Sequence, residues 1–171
     1  MFGAKRKDSS AASHVLSGEQ PERAARPAPG AYAASALSLA AAMIHLWLLP
    51  SQLFVWWGYG VFFLIAALVQ GVYAAAILRW STPALALAGI GANVSMVVLY
   101  VFTRTIGIPV GPHAGEIERV GALDMTATAA ELALILALLS LLDGAARRYT
   151  VNFLLFLGAF IWMLRLSGVF S

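Results

Sequence analysis

Apolar stretches of about twenty residues recur along this chain, and they restrict it to one kind of solvent. They run over about Ala31–Leu49, Trp57–Leu78, Pro83–Phe102, Gly121–Leu142 and Tyr149–Val169. A helix needs about 20 residues to cross about 30 Å of hydrocarbon. A backbone in lipid must satisfy its own hydrogen bonds, so the stretches predict helices. Of the 171 residues, 61% are hydrophobic and only 11% charged, too little charge to cover a water-facing surface. The expected fold is all-α: a polytopic membrane protein, built as a compact bundle of five transmembrane helices spanning residues 31–171. The first stretch follows a long polar tail and is longer than a signal-peptide apolar region, so it reads as a retained span.

Residues 1–30 read as a disordered basic tail that ends in the breakers Pro27-Ala28-Pro29-Gly30. Such a tail serves either as a docking segment or as a solvated topology anchor. It carries Lys5, Arg6, Lys7, Arg23 and Arg26, and the whole chain is +3. With the tail in the cytoplasm, Arg79, Arg147 and Arg148 join it inside, and Arg104, Arg119 and Arg165 lie outside. That arrangement keeps the larger basic group inside, which predicts a cytoplasmic N-terminus and an external C-terminus in the inner (plasma) membrane. Trp56, Trp57 and Tyr59 then fall at the outer interface and Trp80 at the inner one. The partners expected are the lipid bilayer and other membrane subunits. Nucleic acid is not expected, because Asp8, Glu19 and Glu22 dilute the tail and no aromatics interleave with its basic residues.

The chain has no cysteine, which excludes disulfides, thiolate ligands, iron–sulfur clusters and a Cys nucleophile. Lysine is absent after Lys7, so no spanning helix offers a Schiff base. There is no P-loop and no GxGxxG fingerprint. Small residues at helical spacing, Ala67, Gly71 and Ala75 on the second span and Ala129, Ala133 and Ala137 on the fourth, read as close-packing faces. No internal repeat supports an inverted-repeat transporter.

Chemistry-bearing residues gather toward one mouth of the expected bundle. Asp124, Thr128 and Glu131 share one face of the fourth span. Glu131 falls near the midplane, where an ionised carboxylate without a partner costs several kcal/mol. It reads either as a proton- or cation-binding group or as a protonated clasp between helices. Gln70 and Asn93, near the middle of their spans, are placed to hydrogen-bond it. His45 is expected one turn from the outer end of the first span, level with Asp124 and below Arg104. His113 and Glu116 lie in the outer connection, and His45, His113, Asp124 and Glu116 form a candidate ligand set for a divalent metal ion. None of the usual short His spacings supports that set, so loop folding must assemble it. The segment Arg104-Thr105-Ile106-Gly107-Ile108-Pro109-Val110-Gly111-Pro112 is too rich in Gly and Pro for a helix, and its apolar residues suggest a loop seated on the bundle mouth.

The ordered set of His45, Gly58-Tyr59-Gly60-Val61-Phe62-Phe63, Gln70, Asn93, that same Arg104–Pro112 segment and Glu131 resembles a family of small multi-pass membrane proteins met in high-GC bacteria. The resemblance spans about Ala31–Leu142 and implies the fold; it implies no activity and no catalytic residue. The functional expectation is an outward-facing polar cavity that binds or conducts a metal ion, a proton or a small polar solute. Its expected ligand residues are His45, Gln70, Asn93, Arg104, Asp124, Thr128 and Glu131. The alternative is a non-catalytic subunit or assembly factor of a larger membrane complex. An enzyme working by general acid–base chemistry has no nucleophile or cofactor fingerprint in its favour.

Overall fold

A computed structural model describes residues 27–168. Most of the basic tail, with its expected disorder, lies outside the described residues. Five α-helices follow: α1 (Pro29–Val55), α2 (Trp57–Arg79), α3 (Pro83–Thr103), α4 (Ala122–Leu139) and α5 (Gly144–Leu166). All are long and apolar enough to cross a membrane, and no strand occurs among the described residues.

Helix boundaries differ from expectation where Pro and Gly were read as breakers. Pro29 and Gly30 do not end the tail; they open α1, where the missing proline N–H is one of the donors a helix start leaves free anyway. Pro50 does not end α1 either. The helix continues five residues further to Val55, and only the Leu46 carbonyl loses its backbone donor. A single extended residue, Trp56, then reverses the chain into α2. At the other end of the bundle α5 starts at Gly144, not Tyr149, so Arg147 and Arg148 lie in its first turns.

The expected compact bundle of five is a bundle of four with α5 along its edge. Helix α1 packs on α2 and α4, and α3 on α4, whereas α2 and α3 touch little and α5 touches only α4. No α5 residue is buried, although Val151 and Leu154 rest against the core. The small-residue ladders pack only in part: Ala67 is buried and Ala137 rests against the core. Gly71 has open space around it and Ala75 and Ala129 are exposed. Side-chain size permits close approach, but the hairpin register decides which face is presented. Helices α1 and α2 pack along most of their length, with Ala34, Ser38, Ala41 and His45 buried on the first and Gly60, Ala67, Gln70 and Ala74 on the second. Ser35 and Ser38 fasten the two helices by donating to the carbonyls of Ala74 and Gln70, each at 2.8 Å.

The aliphatic core sits toward the end away from the Arg104–Gly121 loop, around Ala34, Ile77, Ile90, Leu134 and Leu138. There Tyr73 Oη donates to the Leu85 carbonyl at 3.0 Å and ties α2 to α3. Gly89 is the small residue that matters most at this junction, since any side chain on it would run into the Tyr73 hydroxyl and Leu138. The candidate site lies toward the loop end, lined by residues of α1, α2, α3, α4 and the loop.

Candidate functional site

Helix length decides what His45 meets. Because α1 runs on to Val55, His45 is ten residues from the helix end, about 15 Å at the helical rise. Glu131 is nine residues in from Ala122 at the same end, about 14 Å. The two therefore share a depth, and the expected level pairing of His45 with Asp124 is corrected. His45 Nε2 lies 3.4 Å from Glu131 Oε1. The residues are 4% and 3% exposed, so this is a fully enclosed polar contact. It lies within ion-pair range, yet neither imidazole nitrogen has a hydrogen-bond partner among the described residues. The Phe63 ring meets the imidazole edge-on at 5.5 Å.

Above the pair, on the side of the loop, is a partly open cavity of about 300 Å³. Its rim is organised by Arg104, which caps α3. One guanidinium nitrogen donates to Asp124 Oδ2 at 2.7 Å and the other to Glu118 and to Thr103 Oγ1. The guanidinium also lies 4.9 Å over the Tyr100 ring. A planar fork with several fixed donors suits this divided pairing; a lysine does not. Thr128 lines the wall and spends its hydroxyl on the Asp124 carbonyl at 3.0 Å. The Arg104–Gly121 loop reaches the cavity through Ile108 and Val110. Tyr59 Oη holds the loop by donating to the Val110 carbonyl at 2.8 Å, and Trp56 braces Tyr59 edge-on at 5.0 Å. Gly107 and Gly111, at φ +86° and +93°, supply the left-handed turns that fold the loop back.

Gln70 and Asn93 do not join this group. Both line a separate crevice of about 180 Å³ between α2 and α3. Asn93 Nδ2 donates to its own helix, to the Gly89 carbonyl, at 2.8 Å. Gln70 Oε1 and Asn93 Oδ1 are buried without a hydrogen-bond partner among the described residues. The expected bonds to Glu131 are not formed, since Asn93 spends its amide N–H on its own helix and both side chains border the α2–α3 crevice.

The metal set is also corrected. Among the described residues no three His, Asp or Glu side chains come together to hold a metal ion. His113 pairs with Glu116 at 3.1 Å in the exposed loop, three residues apart, while His45 is enclosed in the bundle and Asp124 is bound to Arg104. The acid that the loop delivers to the rim is Glu118. Both acids are visible in the sequence, but an irregular segment has no periodicity to tell which of them faces inward. Of the aromatic wall of Trp56, Tyr59 and Phe63, the sequence placed Trp56 and Tyr59 at a membrane interface, without a signal that they turn toward a cavity.

Compared with known proteins, the chain matches no family model, no curated relative and no solved structure. The reading of the site therefore rests on its own geometry.

Proposed function

We propose that this chain is an integral protein of the plasma membrane that holds a small ligand in the cavity above His45 and Glu131. The loop end faces outward and the basic tail faces the cytoplasm, in keeping with the excess of basic residues on the tail side. The observation that carries the reading is the enclosed His45–Glu131 contact at the base of a cavity of about 300 Å³. Ionisable groups are rare inside membrane helices and mark ligand or ion paths when they face a cavity. Here the cavity has polar groups at its base and rim and apolar walls between, which is the usual construction of a small-molecule site. Proteoliposomes bearing wild type, Glu131→Gln or His45→Ala test it: binding or flux of a small polar solute, proton or cation is lost in both variants. Unchanged binding and flux in both would defeat the proposal.

A second reading, a non-catalytic subunit or assembly factor, is favoured by α5. That helix spans the full apolar length yet buries none of its residues. Recovery of a stoichiometric partner in mild detergent supports this reading, and a monodisperse species of this chain alone counts against it.

A further inference from the structure

We infer that the ligand of the cavity is a small organic amine bound as its cation, with an aromatic or branched alkyl body. This rests on the reading of the cavity as a binding site and goes on to its chemistry. Three carboxylates, Glu118, Asp124 and Glu131, face a single guanidinium, that of Arg104. The lining thus carries an excess of acidic side chains, three against one guanidinium. Arg104 is already engaged by Glu118, Asp124 and Thr103 at the rim, so it does not offset Glu131 at the base.

The enclosed end of the cavity is also short of donors. Glu131 presents a carboxylate 3% exposed, and both nitrogens of His45 are enclosed without a hydrogen-bond partner among the described residues. The imidazole nitrogens are themselves closed off from the cavity, so the Glu131 carboxyl is the acceptor that a ligand carrying several N–H groups would bond there. An ammonium does this and also sets a cation among the acidic side chains of the lining. A carboxylate or phosphate ligand would add to the excess it must be buried against.

The walls select the rest of the molecule. Aromatic rings from Trp56, Tyr59, Phe63 and Tyr100 line the same cavity. Ring faces attract cations, more strongly where water is excluded, and they pack an apolar body. A bare metal ion is a poorer match, since no three ligating side chains converge. A hydrated inorganic cation gains nothing from the apolar wall.

The test is calorimetric titration of the full chain in nanodiscs, with empty nanodiscs subtracted, using 2-phenylethylamine, 2-phenylethanol and 3-phenylpropionate. The expected result is saturable binding of the amine, at least tenfold tighter than the alcohol, with no binding of the carboxylate. Glu131→Gln weakens the amine at least tenfold and leaves the alcohol unchanged. Because the first comparison uses wild type alone, it does not depend on how the variant folds. Equal binding of amine and alcohol overturns the amine assignment while leaving the cavity a ligand site. Tightest binding of the carboxylate overturns it in favour of Arg104 as the anchor. Absence of saturable heat with all three overturns it as well, and the proteoliposome comparison then judges the cavity separately.

Discussion

His45 on α1 and Glu131 on α4 lie at one depth in the bundle, 3.4 Å apart and almost wholly enclosed. Their proximity couples the two burials, since a buried polar group left alone costs its full desolvation. His45→Ala is expected to destabilise the fold by about 1–3 kcal/mol, because the Glu131 carboxyl loses its neighbour. The double variant with Glu131→Gln should lose less than the two single losses combined, by at least about 0.5 kcal/mol. Detergent-induced unfolding of the four proteins measures this, and strict additivity would show that the residues do not interact.

Arg104 joins α3, α4 and the loop through Thr103, Asp124 and Glu118. Removing it frees two carboxylates at the rim. Arg104→Ala should cost about 1 kcal/mol, between the values for exposed ion pairs and for enclosed bonds to charged groups. Proteolysis within residues 105–120 should quicken. Arg104→Lys should recover less than half of the loss, since an ammonium cannot serve the three partners with a planar fork. Full recovery by lysine would reduce the residue to a point charge.

Two glycines on one helix should respond oppositely to the same substitution. Gly89→Ala forces a methyl group into the Tyr73 hydroxyl and Leu138, and disturbs the bond from Tyr73 to Leu85. A loss of about 1–3 kcal/mol is expected, as for other overpacked sites. Gly91 has nothing within 4 Å of the added methyl. Gly91→Ala should be neutral or stabilising by up to about 1 kcal/mol through helix propensity. Thermal unfolding in detergent separates the two, and equal midpoints would refute the packing described at Gly89.

The absence of cysteine makes single-cysteine labelling clean. His113→Cys on the exposed loop should react with a membrane-impermeant maleimide on intact cells. Ser81→Cys, in the exposed turn between α2 and α3, should react only after lysis. The reverse pattern would invert the proposed orientation.

Much of this architecture is legible in the chain. Five helices follow from apolar length alone, because lipid permits no other backbone for such stretches. The value of Glu131 is legible too, since a carboxylate nine residues into an apolar helix is costly in any arrangement. Helix ends were less legible. Pro29, Gly30 and Pro50 are breakers in general, yet a helix start tolerates proline and a long apolar helix absorbs one lost bond.

Partnership was not legible at all. The sequence states that His45, Gln70, Asn93, Asp124 and Glu131 are polar groups in apolar surroundings, and it determines their depth only as well as the helix ends are known. The tertiary structure decided that His45 meets Glu131, that Arg104 takes Asp124 and Glu118, and that Gln70 and Asn93 line a different crevice. The reason is physical. Spacing along one helix assigns residues to a face, whereas contact between helices depends on register and on crossing, which are set by the summed packing of α1 on α2, α1 on α4 and α3 on α4.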